Sequence, residues 1–418
     1  MDFSLSDEEQ LFQKTVHDFL KDNLAPIARD IDNDHRIPEK LLHGMGEIGL
    51  LGATIPEKYG GQGGSITMAT LGAMEIGAAD PSMATAVYYL LVTGWSHLAS
   101  KLGTEELRQS LLPKVAAGRE FLGIATTEPG GGSDLAAMKT NAKREGKRLI
   151  LNGEKIYISG VSEAKRMGGG HLTLMKTDPS LKHKGLTFAY VPINSKGIET
   201  TVLENMGRMG ISTGIVSYRD VDVVKENIIG EYNRGFFHAM AGFNYARTLV
   251  SAACVGAAQW ALEVGAEYIK RRSAFGSTLA RYEGVSFEFA DLSVQVEMVR
   301  NQVMKAATLL DAYDSGKNVP MKDINIAVSA SKLTAPPLAL DTIKKVMMWH
   351  GALSYTKDTY LETYFPEIFC RISIHAVSGG SISCCQRAPM ISPMWCASSN
   401  VVCISPSDAS YSPGIQNT

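Results

Sequence analysis

Ala125-Thr126-Thr127-Glu128-Pro129-Gly130-Gly131-Gly132-Ser133-Asp134-Leu135-Ala136-Ala137 is the stretch on which the fold turns. It closes a run, Phe121 to Thr127, where the apolar period changes from 3.6 to 2, so a strand is predicted to end here. Three glycines and a serine after a strand let backbone N–H groups approach a ligand closely. Taken alone, a Gly-rich turn of this kind is more often a plain loop.

Upstream of this stretch the pattern is helical. Ser6 and Glu9 form a capping box, and Phe12, Val16, Phe19 and Leu20 then share one face. Helical patterns continue to about residue 118, broken by a turn at Tyr59-Gly60-Gly61-Gln62-Gly63-Gly64. Downstream, further strands are predicted at Leu149 to Ser159, His171 to Lys176, Leu186 to Pro192 and Gly214 to Val221. Short strands without intervening helices of useful length predict an antiparallel barrel or sandwich. After Gly235 the helical period returns, with Leu292, Val296, Val299, Val303, Ala306 and Leu310 on a single stripe. Long helices with one apolar seam pack as a bundle. A last helix, from about Lys322 to His350, should be kinked or split at Pro336 and Pro337.

The chain has 418 residues, 45% of them hydrophobic, and a net charge of -2, which suits several packed domains. It offers no basic stripe and no polybasic anchor, so neither nucleic acid nor a membrane surface is expected as a main partner. Leu249 to Ala266 is the most apolar stretch, but Gln259 and Glu263 interrupt it and mark a buried helix. Met1 to Leu5 carries no signal-peptide pattern, and a cytoplasmic protein is expected. Cys254 lies in the apolar helix, whereas Cys370, Cys384, Cys385, Cys396 and Cys403 crowd the end.

The stretch from Ala125 to Ala137 resembles the first signature of the acyl-CoA dehydrogenase family, with Thr126 where an aliphatic residue is usual. Other stretches carry the same resemblance. Asn152 to Ser159 is similar to the family's next strand, with Tyr157 where an aromatic stacks on flavin and Ser159 where a hydroxyl bonds it. Gly207-Arg208-Met209 and Gly214 to Gly230 resemble the strand and hinge that leave the β domain. Phe243-Asn244-Tyr245-Ala246-Arg247 matches the helix lining the pantetheine channel, which makes Phe243, Asn244 and Arg247 candidate CoA contacts. An internal ion pair for Arg247 remains a second reading. Arg271 to Gly276 resembles the turn in which Arg272 and Phe275 reach the dinucleotide of FAD on a neighbouring subunit. An arginine fork suits phosphate, although a basic pair could also answer the helix dipole.

The resemblance covers roughly residues 1 to 358 and implies an α+β fold in four segments. Residues 1–120 would form an all-α domain, 121–233 an antiparallel β-barrel domain, and 234–358 an incomplete four-helix bundle, with an aberrant tail over 359–418. It also implies FAD as cofactor, a homotetramer, and electron transfer to an electron-transferring flavoprotein. The implied cofactor contacts are Ile124, Thr126, Thr127, Gly132, Ser133, Tyr157, Ser159, Arg272, Phe275, Glu283 and Gly351. The implied substrate contacts are Ser133, Tyr88, Tyr89, Phe243, Asn244 and Arg247, and no metal is expected. Family members remove the α proton of an acyl-CoA with a carboxylate while the flavin takes the β hydride. One family position for that carboxylate is here Ala246. The other, in a Glu-Gly-Thr turn beyond a Gly-rich turn recognisable at Gly351 to Asp358, falls on His375, Ala376 and Val377. Imidazole lacks the negative charge that balances this site, so the base is left unassigned.

Ala376 to Thr418 holds only two charged residues, Arg387 and Asp408, which suggests a change of reading frame between Tyr360 and Ser378. The absence of lysine and arginine from Met74 to His97 disfavours a dicarboxylic acyl group, and Tyr88 and Tyr89 suggest a short or ring-shaped pocket or else two core aromatics. The leading expectation is dehydrogenation of a short-chain or cyclic acyl-CoA. The alternatives are a silent or truncated FAD/acyl-CoA-binding relative, or a base-less member such as a desulfinase.

Overall fold

The computed structural model describes residues 4–80 and 82–361. Six helices come first: α1 (Asp7–Asn23), α2 (Ala28–Asn33), α3 (Glu39–Glu47), α4 (Ile66–Ala79), α5 (Ala84–Leu102) and α6 (Glu105–Ala116). The capping box at Ser6 is present in both directions, with Glu9 N–H on Ser6 Oγ at 3.3 Å and Ser6 N–H on Glu9 Oε2 at 2.9 Å. α4 and α5 are buried almost all round, as expected of helices apolar on every side. α4 packs on α1 and on the later helices Gly235–Arg271 and Glu283–Asp314, and α5 on α6, the helix Gly235–Arg271 and the strand Phe121–Ala125.

Seven strands make one sheet: β1 (Phe121–Ala125), β2 (Asn141–Glu145), β3 (Arg148–Ser159), β4 (Gly169–Lys176), β5 (Leu186–Pro192), β6 (Ile198–Leu203) and β7 (Thr213–Val224). Their order is β1-β4-β2-β3-β7-β6, with β5 also on β4, and α7 (Val161–Met167) lies between β3 and β4 in sequence. Pairing is antiparallel for β2–β3, β3–β7, β4–β5 and β6–β7, but β1 runs parallel to β4 and β2 meets β4 parallel at one pair. The sequence predicts antiparallel pairing and leaves out β2 and β6. Both omissions have one cause: β2 buries only Ala142, and β6 is an edge strand with no fully buried residue, so neither shows apolar alternation.

The last described part holds α8 (Gly235–Arg271), a hairpin of β8 (Ser273–Ala274) and β9 (Ser277–Thr278), α9 (Glu283–Asp314) and α10 (Met321–His350). α8 is long and apolar enough to cross a membrane, yet 72% of its apolar stretch is buried against α4, α5, α9 and α10, so it is a core helix. Its crossing with α4 depends on two glycines. A Cβ at Gly77 would stand 2.1 Å from Ala253 O, and one at Gly256 1.9 Å from Met74 O. α9 buries Leu292, Val296, Val303, Ala306 and Leu310, with Val299 at the edge. α10 is not split at Pro336 and Pro337, because packing along α8 and α9 outweighs the lost hydrogen bonds.

Candidate active site

The turn after β1 is braced from beneath by a buried ion pair. Lys155 of β3, whose side chain has no exposed surface, donates Nζ to Thr126 O at 3.1 Å and to Glu128 Oε1 at 2.9 Å. Glu128 also accepts the N–H groups of Lys139 at 2.6 Å and Thr140 at 2.9 Å. One pair therefore ties both ends of the turn to β3. Burial pushes the Glu128 carboxyl up, but the Lys155 charge and these donors outweigh it and hold it below its usual range. Burial pulls Lys155 down to about 8, against the attraction of Glu128. Thr127 O accepts Ile156 N–H at 3.0 Å. A Cβ at Gly132 would meet Thr127 Cγ2 at 3.2 Å, while one at Gly130 or Gly131 would meet nothing, so the turn is tight at its base and open at its tip.

Beside the turn, the β3–β7 register shifts between Lys155 and Ile158. Such a bulge re-aims side chains. Tyr157, at φ 61, is 65% exposed on this bulge, although tyrosine is an ordinary core residue of strands. Two residues on, Ser159 is clamped twice. Its carbonyl accepts from His171 Nε2 at 3.0 Å, and its Oγ accepts from Arg208 Nη1 at 3.0 Å. Burial drives His171 down to about 4, so the ring is neutral at pH 7 with its proton on Nε2. Ile124 is half-buried on β1 opposite Leu172, and Ser133 is exposed at the end of the turn.

Phe275 and Gly276 form a two-residue hairpin tip with φ of 50 and 81, the sign pattern of a type I′ turn. Phe275 is fully exposed in a left-handed conformation that costs a non-glycine residue about 1–2 kcal/mol. Tyr282 holds the tip by donating to Ala274 O at 2.6 Å. Arg272, which ends α8, and Glu283, which opens α9, are both exposed. Gly351 ends α10 at φ 59.

The helical wall is different. Tyr88 and Tyr89 on α5 are completely buried. Tyr89 donates to Ala69 O at 3.0 Å, whereas Tyr88 packs on Phe121 with ring centroids 5.5 Å apart and its hydroxyl has no partner. The structure thus places them in the core. Asn244 is buried and donates Nδ2 to Asn325 Oδ1 of α10 at 2.9 Å, so its amide faces the bundle. Half-buried Arg247 sits over the Phe243 ring at 5.5 Å, and that ring meets Trp95 edge-on at 5.5 Å. Ala246 supplies no acid or base. His375 lies outside the described residues.

Two clusters escaped the sequence reading. The Lys155–Glu128 brace was legible in part, since Lys155 shares the parity of buried Leu149 and Leu151 on β3. The other links four helices: Asp314 of α9 takes His97 Nε2 at 2.6 Å and the Tyr245 hydroxyl at 2.9 Å, while Asp311 caps α4 through the N–H groups of Ile66 and Thr67. No local spacing announces those long-range contacts.

The family descriptions for the acyl-CoA dehydrogenase N-terminal, middle and C-terminal domains match residues 6–119, 123–221 and 233–382. The short/branched chain specific acyl-CoA dehydrogenase of Bos taurus mitochondria is 32% identical over 87% of this chain and 81% of its own length. The chain belongs to the acyl-CoA dehydrogenase family. The acryloyl-CoA reductase (NADH) of Anaerotignum propionicum is 31% identical over 87% of this chain and 90% of its own length. The butyryl-CoA dehydrogenase structure from Megasphaera elsdenii superposes with a TM-score of 0.81 at 26% identity, covering 92% of this chain and all of that one. The C-terminal match reaches residue 382 and so continues past Asp358.

Acyl-CoA dehydrogenases use FAD, and the residues present fit a flavin. The tip of the turn is open at Gly130 and Gly131, Tyr157 presents an exposed ring beside it, and the Ser159 hydroxyl proton has no acceptor among the described residues.

Proposed function

We propose that this acyl-CoA dehydrogenase binds FAD between the Thr126–Ser133 turn and Tyr157 and oxidises a short-chain or cyclic acyl-CoA at its α,β bond. Electrons would leave to an electron-transferring flavoprotein. The observation that carries the reading is the buried Lys155–Glu128 brace, a costly feature that rigidifies an otherwise glycine-rich turn directly beside an outward-facing aromatic.

When bound, FAD supplies the hydride acceptor. The chain supplies the rest. The backbone of the braced turn and the Ser159 hydroxyl orient the ring, Tyr157 stacks on it, and Arg272 and Phe275 reach towards the cofactor of a neighbouring copy. Arg247 and Phe243 face the pantetheine arm. The lack of any lysine or arginine from Met74 to His97 supports an acyl group without a second carboxylate. Support for a short or branched acyl group comes from the named activities of the bovine and Megasphaera relatives.

A second reading, a flavoprotein that binds but does not oxidise, is favoured by Ala246 and by His375 at the two family positions for the base. Anaerobic addition of butyryl-CoA to FAD-reconstituted protein separates the two. Bleaching of the visible flavin band supports the dehydrogenase, and a yellow protein that never bleaches with butyryl-, cyclic acyl- or palmitoyl-CoA supports the silent relative.

A further inference from the structure

Arg208 occupies an unusual place. It is 9% exposed, yet its backbone stands at φ 49, in the left-handed region that a non-glycine residue adopts at a cost. Its guanidinium forks across two hydroxyls, with Nη1 on Ser159 Oγ at 3.0 Å and Nη2 on Thr213 Oγ1 at 2.7 Å. Ser159 and Thr213 are direct partners in the β3–β7 ladder, so one planar group spans the end of the two strands.

The consequence lies in the proton of Ser159. A hydroxyl has one proton and two lone pairs, and a guanidinium can only donate. With Nη1 on Oγ, the Ser159 O–H bond must point away from Arg208, and among the described residues nothing accepts it. The carbonyl of the same residue is fixed by neutral His171 at 3.0 Å. Ser159 is therefore held by main chain and side chain with its hydroxyl proton directed away from Arg208, on the strand that also exposes Tyr157 two residues earlier.

We propose that Arg208 is a positioning residue for the cofactor: it fixes the Ser159 hydroxyl as a donor to an acceptor atom on the flavin ring. The inference rests on the proposed FAD site. It assigns the left-handed backbone at Arg208 a purpose, since that conformation delivers the guanidinium to the strand ends.

The test is a double-mutant cycle read by FAD affinity and by the visible spectrum of the bound flavin. Wild-type chain, Ser159→Ala, Arg208→Met and the double variant are titrated with FAD, following flavin fluorescence. Ser159→Ala and Arg208→Met should each weaken binding about tenfold, the size of one hydrogen bond to a fixed donor. The double variant should be no weaker than either, because both remove the same contact. The two single variants should also shift the visible band alike. Arg208→Gly serves as the folding control. It suits the left-handed backbone, so it should melt no lower than Arg208→Met while binding FAD as weakly. Additive losses, or wild-type affinity and spectrum in Arg208→Gly, would overturn the inference and leave the FAD site standing. Failure of the wild-type chain to take up FAD would instead remove the site itself.

Discussion

The two walls of the candidate site are built on opposite terms. On the sheet side, Tyr157 is 65% exposed and the glycine tip is open, above a buried Thr126. On the helical side, Tyr88, Tyr89 and Asn244 are sealed into the core, and only Arg247 and Phe243 keep partly accessible faces. A cofactor site can be preformed by one rigid element with a buried brace under it. Tyr88 and Tyr89 pack as core aromatics of α5, the second of the two readings the sequence allows for them.

The contrast breaks most visibly at Lys155. Lys155→Met leaves the Glu128 carboxylate buried without its cation, and a loss of about 3–5 kcal/mol is expected in urea unfolding. The double variant Lys155→Met/Glu128→Gln should recover part of that loss. Equal stability of the two variants would mean the pair does not brace the turn.

Next in size is Asp314, where the helical wall has its own buried network. Burial pushes this carboxyl up, but the His97 hydrogen bond and charge, with help from Lys101 and Tyr245, hold it below its usual range. The native state thus takes up that proton at lower pH than the unfolded chain does. Its contribution is complete above the ordinary carboxylate range and disappears as pH falls through that range to the folded value. Asp314→Asn should cost about 2 kcal/mol at pH 7 and flatten the acid limb of a stability-versus-pH curve. An acid limb of unchanged slope would contradict the assignment.

The tyrosine pair gives a smaller effect with opposite signs. Tyr89→Phe should cost about 1 kcal/mol, because it deletes the bond to Ala69 O. Tyr88→Phe removes a hydroxyl that has no partner and should hold or raise stability. A change in acyl-CoA chain-length preference in Tyr88→Phe would place the residue in the acyl pocket. Smallest of all, Phe275→Gly relieves the left-handed hairpin tip, so the melting temperature should rise slightly while FAD retention falls.

How much of this was legible beforehand follows from the range of each signal. The glycine turn, the capping box at Ser6, five of the strands and the α9 stripe are local patterns, and each stands where the sequence put it. β2 and β6 were missed because an exposed strand buries too little to show alternation. The parallel pairing of β1 with β4 depends on strands distant in sequence, which no local period reports. The site divides in the same way. Motif positions were readable, but Asn244 turns out to face Asn325, and the Asp314 network joins α5, α8 and α9 through contacts no spacing encodes.

Flavin fluorescence measures directly whether a flavin ring lies on Tyr157 against the braced turn. The purified chain reconstituted with FAD should hold one cofactor per chain with its emission quenched by the stacked ring, and Tyr157→Leu should restore emission while FAD stays bound. A chain that takes up no FAD from excess cofactor, or whose bound flavin fluoresces equally with and without the Tyr157 ring, would contradict that placement.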